Sequence, residues 1–209
     1  MDALISSYKV TQLKRGIPDL PSRTQSYTRA TMSSASDQQK VYRLANPDGF
    51  RSIKAHSEPI PKPTKLEVLL KIKALSLNFR DLAISKGTYP FPVKPDVIPI
   101  SDCSAEVLEV GEGVSELHKG DKVVVTFDPT NLYGPQKNWN GGYGGPQDGF
   151  LREYAVVPAS AVVKIPSTST LGWPQLASLV CTGTTTWNAL FGAVSVRPGQ
   201  VALVQGEPW

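Results

Sequence analysis

The sequence is poor in residues that bind metals or form disulfides. It has two cysteines, Cys103 and Cys181, and two histidines, His56 and His118, among 209 residues. Two cysteines cannot form a disulfide framework, and the lack of a CxxC pair argues against a zinc ribbon. The two histidines have no partner pattern, and we expect both to face solvent. These features are typical of a reducing compartment, so we expect a cytoplasmic protein.

Long hydrophobic runs are also missing. A membrane-spanning helix needs about 20 consecutive apolar residues, and no run in the sequence approaches that length. The first residues do not combine a charged start, an apolar centre and a small-residue cleavage site, as a secretory signal would. We therefore expect neither membrane insertion nor secretion.

The excess of positive charge is small and unevenly distributed. The formal net charge is +4. Residues 1–31 contain five Lys or Arg and two Asp, which leaves 17 basic and 16 acidic side chains in the rest of the chain. A nearly neutral body without a clustered basic stripe argues against a nucleic-acid partner.

The first 40 residues differ from the rest. They are polar, rich in Ser and Thr, interrupted by Pro18 and Pro21, and without apolar periodicity, which predicts a disordered leader over residues 1–40. A mitochondrial presequence is the alternative to a non-functional extension, although the prolines and Asp2 are unusual in one. Met32 is an alternative start of translation.

From residue 41 the pattern is that of short strands. Segments 41–44, 50–55 and 67–75 are predicted strands. In the last of these, EVLLKIKAL, apolar residues from Val68 to Ala74 alternate with positions that include two lysines, so this strand is expected to be half buried.

The stretch 97–125 organises the rest of the chain. It is read as a strand over 104–110, a glycine turn at 111–113, and a second strand over 122–127. Glycines stand where the chain must reverse, and β-branched residues fill the second strand. The pattern predicts two strands of a small β-barrel.

The remaining segments complete the expected layout. Residues 78–86 are predicted to form a short helix that Gly87 ends, and Tyr89 follows on a proline-flanked loop. Residues 128–149, with six glycines and three prolines, form a long loop of the kind that is functional or mobile. Further strands are predicted at 150–157, 161–165 and 201–204, and helices from Pro174 and over 184–193.

Five pieces of this sequence resemble the medium-chain dehydrogenase/reductase superfamily in its zinc-free, quinone-oxidoreductase-like branch. They are LNFRDL at 77–82, the stretch 97–114, DGFLREY at 148–154, CTGTTTWNAL at 181–190 and VRPGQVALVQG at 196–206. The resemblance implies a mainly β fold. A GroES-like β-barrel would cover residues 41–170, followed over 171–209 by linker helices and only the first strand of a Rossmann α/β domain that binds NADP or NAD.

The same resemblance locates the positions that bind catalytic zinc in zinc-dependent relatives. They correspond here to Asn78, Ser101, Asp102 and Cys181. Only Asp102 and Cys181 could ligate a metal, and two ligands do not make a zinc site, so we predict no metal. A leftover buried thiol is the preferred interpretation of Cys181.

Four residues are candidates for the reaction site. By resemblance, Asn78 borders substrate and nicotinamide, Tyr89 lines the pocket and Thr185 touches the nicotinamide ring, while Asp81 could orient its neighbours. Each has a simpler alternative. Asn78 could be only a helix N-cap, Asp81 an ion-pair partner of Arg80 or Lys86, Tyr89 an exposed loop aromatic, and Thr185 a helix N-terminal hydroxyl.

The expected function follows from these positions. Without zinc, electron-poor acceptors are favoured, so the chain is expected to be the substrate-binding half of an NAD(P)H-dependent oxidoreductase that transfers hydride to a quinone, enone or other carbonyl. As this 209-residue chain it is expected to bind no cofactor alone and to be inactive, whereas a full-length form could be a homodimer. The alternative is a non-catalytic GroES-like binding or interaction fragment.

Overall fold

A computed structural model describes residues 37–131 and 133–203. Most of the predicted leader lies outside these residues, but its last part does not, because β1 spans Gln38–Leu44. This strand begins before residue 41 since Gln38 to Lys40 pair with Ser57 to Pro59 of β2 (Ile53–Pro59), in an antiparallel hairpin. A 3-10 turn at Phe50–Ser52 precedes β2, so residues 50–52 of the predicted strand are helical instead.

The second sheet has five antiparallel strands in the order β6-β3-β4-β5-β7. Their bounds are Glu67–Ser76 (β3), Asp102–Val110 (β4), Lys122–Val125 (β5), Tyr154–Pro158 (β6) and Val162–Lys164 (β7). The strands predicted from alternation and from the glycine turn at 111–113 are therefore present.

The core lies against the inner face of this sheet. Val68 and Leu70 of β3, Val107 of β4, Val123 of β5 and Phe150 are fully buried in one cluster, while Lys71 and Lys73 are exposed. From Leu70 to Lys73 this alternation is the expected signature of a half-buried strand, whereas Leu69, on the same face as the lysines, is buried as well. The mainly β fold predicted from the sequence is confirmed.

Three short α-helices, one π-helical turn and a second 3-10 turn at Ala159–Ala161 complete the described part of the chain. Helix α1 spans Phe79–Ser85 and α2 spans Trp173–Ser178; a π-helical turn at Leu179–Gly183 leads into α3, Thr184–Phe191. Gly87 follows α1 with φ of 68°, a conformation that glycine adopts without strain. In the described residues no helix is long and apolar enough to cross a membrane.

The predicted strand at 201–204 is not formed over its described residues, 201–203; Val204 lies outside them. Val201 and Leu203 are 97% and 86% exposed. An apolar strand needs neighbouring strands to accept its backbone hydrogen bonds and to cover its side chains. None lies beside 201–203 within the described residues.

The glycine-rich segment 128–149 is a long loop, as predicted, but its second half is buried. Gly141 to Gly145 are buried, and Gly149 lies so close to Ile100 that a Cβ there would collide with the Ile100 carbonyl oxygen. The Gly149 and Phe150 N–H groups donate to the carbonyls of Ile98 and Ile100 at 2.6 and 2.8 Å. This part of the loop is a packed wall of the barrel.

Candidate functional site

The start of α1 is held by its own side chains. Asn78 has an extended backbone and precedes the helix, and its N–H donates to the Asp81 carboxylate at 2.8 Å. An acidic group at this position satisfies one of the free N–H groups of a helix N-terminus and favours its positive end. The predicted helix is confirmed, and Asn78 occupies its N-cap position.

Three buried polar atoms near this helix start have no hydrogen-bond partner. They are Asn78 Nδ2, Arg80 Nη2 and Asp81 Oδ1. Buried polar atoms are nearly always paired, and leaving one unpaired costs about 1–3 kcal/mol. The cluster therefore has unused hydrogen-bonding capacity: two donors and one acceptor.

Asp81 is the most buried residue of this cluster, with 6% of its surface exposed. Burial raises the pKa of its carboxyl, and the negative charge of Asp102 raises it further, against the lowering effects of the Asn78 N–H and of Arg80. No ion pair joins Asp81 to Arg80 or to Lys86 in the part of the chain the structure describes. The alternative role of ion-pair partner is therefore not seen.

A second buried carboxylate, Asp102, connects β4 to the π-helical turn. Asp102 is fully buried. Its Oδ1 accepts a hydrogen bond from the Ser101 hydroxyl at 2.7 Å, and its Oδ2 accepts one from the Cys181 backbone N–H at 3.0 Å. Both oxygens of the carboxylate are thus engaged within the protein.

Cys181 lies next to this carboxylate, and the Thr185 side chain forms a hydrogen bond with its thiol. Burial raises the pKa of the Cys181 thiol, the charge of Asp102 raises it further, and a hydrogen bond with the Thr185 side chain opposes the shift. The thiol is therefore kept protonated, as expected of a partly buried cysteine with a structural role. Thr185 itself is exposed on α3, where a ligand could reach it.

Arg80 connects α1 to Tyr89 and to the loop, and sequence reasoning did not assign it this role. Its guanidinium carbon lies 5.2 Å from the ring centre of Tyr89 and 4.8 Å from that of Phe127. Nη1 donates to the Tyr143 carbonyl at 2.8 Å, and Nε lies 3.4 Å from the Tyr89 hydroxyl. Its place two residues after Asn78 was the available signal, but nothing in the sequence showed that Phe127 and Tyr143 would surround it.

Tyr89 belongs to a row of aromatic rings. Tyr89 meets Phe91 edge to face at 5.4 Å, and Phe91 stacks on Trp139 at 4.4 Å. Tyr89 and Phe91 also line a cavity of about 410 Å³ whose other walls include Leu44 and Ile84. This volume lies within the usual range of small-molecule sites. Tyr89 is only partly exposed, so it is not a solvent-facing loop aromatic.

The predicted residues therefore form two neighbouring groups. Asn78 and Asp81 meet at the start of α1, and Arg80 links this group to Tyr89; Thr185 is reached through Cys181 and Asp102. Asn78 does not line the cavity beside Tyr89. Within the described ranges no three or more His, Cys, Asp or Glu side chains are arranged to hold a metal ion.

Comparison with known proteins places this arrangement in a family. Residues 64–167 match the alcohol dehydrogenase GroES-like domain. A zinc-type alcohol dehydrogenase-like protein of Schizosaccharomyces pombe is 41% identical over 163 residues, which cover 76% of this chain and 46% of that protein. A chloroplast envelope quinone oxidoreductase homolog of Arabidopsis thaliana is 38% identical over 141 residues, covering 66% of this chain and 37% of that protein.

A solved structure has a similar fold. The cobalt- and zinc-bound thermostable alcohol dehydrogenase of Pyrobaculum aerophilum superposes with a TM-score of 0.61 at 27% identity, over 72% of this chain and 47% of that one. The chain thus covers 37–47% of the length of these three proteins.

Proposed function

Since the chain belongs to the medium-chain dehydrogenase/reductase superfamily and carries its GroES-like domain, we propose that it is the substrate-binding half of a zinc-independent, NAD(P)H-dependent oxidoreductase. The reaction is hydride transfer to a quinone, an enone or another carbonyl. The observation that carries this proposal is the buried, unpartnered Nδ2 of Asn78, at the position where zinc-dependent relatives place a metal ligand.

The donor set supports a reaction without zinc. Asn78 and Ser101 offer an amide and a hydroxyl, which are poor ligands for zinc compared with thiolate, imidazole or carboxylate. Both oxygens of Asp102 accept hydrogen bonds within the protein, and the Cys181 thiol has a raised pKa. A zinc ion here would have at most two strong ligands, Asp102 and Cys181, and two ligands do not make a zinc site. The name of the Schizosaccharomyces pombe relative, zinc-type, makes this the point most worth testing.

The amide of Asn78 can stabilise negative charge on an acceptor. In a carbonyl or quinone that receives hydride, negative charge develops on the oxygen, and a preorganised N–H donor favours this charge more than the neutral ground state. Asn78 Nδ2 has no competing partner among the described residues. Asp81 fixes the backbone of Asn78 from one side, so the donor is held on the rigid start of a helix.

The dinucleotide supplies the hydride when it is bound. Of the described residues, Thr185 and Asn78 are proposed to contact its nicotinamide end. Thr185 is exposed and lies beside Cys181, so a bound dinucleotide could reach it. The aromatic row of Tyr89, Phe91 and Trp139 forms an apolar wall suited to flat, conjugated acceptors. Arg80 contacts Tyr89, the first ring of this row.

We further propose that the 209-residue chain does not catalyse turnover by itself. Hydride transfer needs a bound dinucleotide, and a Rossmann domain binds it at the carboxyl ends of its parallel strands. The described residues contain no parallel strand pair. A binding or interaction fragment is the second candidate, favoured by the exposed apolar face of α3, where Trp187 is 67% and Phe191 43% exposed.

Two measurements on the purified chain test this proposal. NADPH absorbance is followed with duroquinone as acceptor, and zinc is quantified by mass spectrometry. A flat baseline together with far less than one zinc per chain is the expected result. Sustained NADPH oxidation would contradict the proposed need for a nucleotide domain, and stoichiometric zinc would contradict the proposed zinc independence.

A further inference from the structure

A groove lies between β7, the segment 113–117 that follows β4, and Leu66, the residue before β3. Its volume is about 520 Å³. Most of its lining is apolar, from Leu66, Val114, Leu117, Ala159, Val162 and Val163. No residue of the candidate site contributes to its walls, so the groove is distinct from the proposed reaction site.

Strand β7 has an open edge beside this groove. Among the described residues it lies at one end of the five-stranded sheet and pairs with β5 alone. The Ile165 N–H donates to the carbonyl of the first residue of β5 at 2.9 Å, and the Ala161 carbonyl accepts from the residue after β5 at 2.8 Å. Hydrogen-bonded pairs alternate along an antiparallel ladder, so Val163 belongs to the next such pair, and the intervening Val162 and Lys164 direct their backbone groups away from β5. The Val162 N–H is used by the preceding 3-10 turn, which leaves the Val162 carbonyl and both backbone groups of Lys164 for a further strand.

Leu66 borders the groove in an unfavourable conformation. Its φ is 60°, in the left-handed region that leucine rarely adopts and that glycine and asparagine tolerate. Its backbone is held from both sides, because its N–H donates to the Glu112 carbonyl at 2.8 Å and its carbonyl accepts the Ala159 N–H at 2.9 Å. Its side chain is nevertheless 54% exposed, so the fold gains little from it. A strained leucine that stays exposed is better explained by a contact with another molecule than by the stability of this chain.

The groove combines further apolar surface with one uncompensated charge. Val163 is 49% exposed. Of the two charged side chains in the lining, Lys164 is paired with Asp121 at 2.8 Å. The other, Glu116, has no basic group within 4.0 Å across residues 37–131 and 133–203. A ligand that carries both apolar and basic side chains is therefore complementary to this groove.

An extended peptide segment would use all of these features together. When a strand is added to an open sheet edge, main-chain hydrogen bonds give affinity and alternate side chains give specificity. We propose that β7 is a docking edge for an extended segment of a partner protein, in which an apolar residue contacts Leu66 and Val163 and a basic residue pairs with Glu116. The proposal does not depend on the oxidoreductase function, because the groove shares no residue with the candidate site.

Nitrogen-15 NMR of the purified chain tests this proposal with three short peptides. Acetylated and amidated KVTVK places β-branched residues between lysines, EVTVE reverses its charges, and KVTVK with an N-methylated backbone cannot complete the hydrogen bonds of a strand. KVTVK is expected to shift the Lys164 backbone resonance in a saturable way and to bind at least about threefold more tightly than EVTVE. It should bind at least about tenfold more tightly than its N-methylated form. A stationary Lys164 resonance, or equal binding of KVTVK and either control peptide, would overturn the proposal.

A second copy of this chain is the other occupant that an open edge could take. Sedimentation velocity with and without KVTVK separates the two cases. A monomeric chain that binds KVTVK is the expected result. A dimer that KVTVK dissociates would assign the edge to a second copy and contradict the proposal.

Variants assign the binding to the groove. Leu66→Asn removes the apolar contact and introduces a residue that tolerates this backbone conformation. It is expected to weaken KVTVK binding at least about fivefold without lowering the melting temperature. L171N removes another exposed leucine, outside the groove, and should leave affinity unchanged. Unchanged binding by L66N would refute the assignment.

The charge preference has its own pair of variants and decides the matter if L66N does not fold. E116Q should remove the preference for KVTVK over EVTVE, because no other acidic side chain lines the groove. E109Q neutralises an exposed glutamate outside the groove and should keep the preference. A preference that survives in E116Q would overturn the proposed role of Glu116 and with it the docking edge.

Discussion

The carboxylate of Asp102 accepts the backbone N–H of Cys181 at 3.0 Å, across 79 residues of sequence. This hydrogen bond joins the first residue of β4 to the π-helical turn that leads into α3. In this chain the pair therefore connects two parts of the fold that are distant in sequence.

Removing the Asp102 carboxylate should therefore destabilise the fold. Asp102→Ala leaves the Cys181 N–H and the Ser101 hydroxyl without their acceptor, and each buried unsatisfied donor costs about 1–3 kcal/mol. We expect the free energy of unfolding in urea to fall by about 2 kcal/mol or more. S101A removes only one neutral donor and should cost about 1 kcal/mol. A D102A protein as stable as wild type would show that this connection is not structural.

Asp81 should give a stability difference that depends on pH. Its pKa is raised in the folded protein, mainly by burial, so the folded state holds the proton more tightly than the unfolded state. Its contribution to stability is present below the ordinary carboxyl pKa, near 4, and is lost as pH rises through the folded value. D81N, which cannot ionise, should therefore gain stability relative to wild type between pH 4 and pH 7, measured by urea unfolding.

Asp121 provides the control of opposite sign. Its hydrogen bond with Lys164, at 2.8 Å, is the main cause of its lowered pKa. This contribution to stability is present at neutral pH and is lost as pH falls through the folded pKa. D121N should thus be less stable than wild type at pH 7 and converge with it in acid. If D81N and D121N showed the same pH trend, burial would not be the dominant influence on Asp81.

Arg80 should be needed for the arrangement of the aromatic site. Arg80→Met leaves the buried Tyr143 carbonyl without its donor and removes the contacts of the guanidinium with Tyr89 and Phe127. The expected loss is about 2–3 kcal/mol in the free energy of unfolding. K86M removes an equal charge from the exposed end of α1 and should change stability by less than about 0.5 kcal/mol. Similar losses in both variants would argue that only net charge matters.

Gly149 tests whether the second half of the glycine-rich loop is a packed wall. A Cβ at this position would collide with the Ile100 carbonyl oxygen and lie 2.7 Å from that of Pro99. These are backbone atoms, so Gly149→Ala should cost more than about 2 kcal/mol of unfolding free energy. A Cβ at Gly172 would instead lie 2.8 Å from the side-chain oxygen of Gln175. This flexible side chain can rotate away. That rotation gives up the hydrogen bond from the Gly172 N–H to the Gln175 side chain, so G172A should cost about 1 kcal/mol. A loss in G149A no larger than that in G172A would mean that the loop adjusts to the added methyl group.

Much of the barrel could be predicted from the sequence because its signals are local. The alternation from Val68 to Ala74 identified β3, and the residues around Asn78 and Gly87 identified the beginning and end of α1. The segment 201–203 was misleading for the same reason. Its apolar residues indicate a buried strand, but a strand forms only where others pair with it.

The site was harder to predict because its contacts are distant in sequence. Asn78 and Asp81 interact within one helical turn and could be found together. By contrast, the contacts of Arg80 with Phe127 and Tyr143 join segments 47 and 63 residues apart. The hydrophobic periodicity of a sequence does not predict contacts between such distant segments.

The central claim is that the free amide of Asn78 binds the acceptor oxygen. Nitrogen-15 NMR of the purified chain, titrated with duroquinone, observes this amide directly. We predict that the Asn78 side-chain resonances shift in a saturable way and that N78A weakens duroquinone binding about tenfold, as loss of a hydrogen bond in a desolvated site should. Stationary Asn78 resonances while duroquinone binds elsewhere, or equal affinity of N78A, would contradict the account.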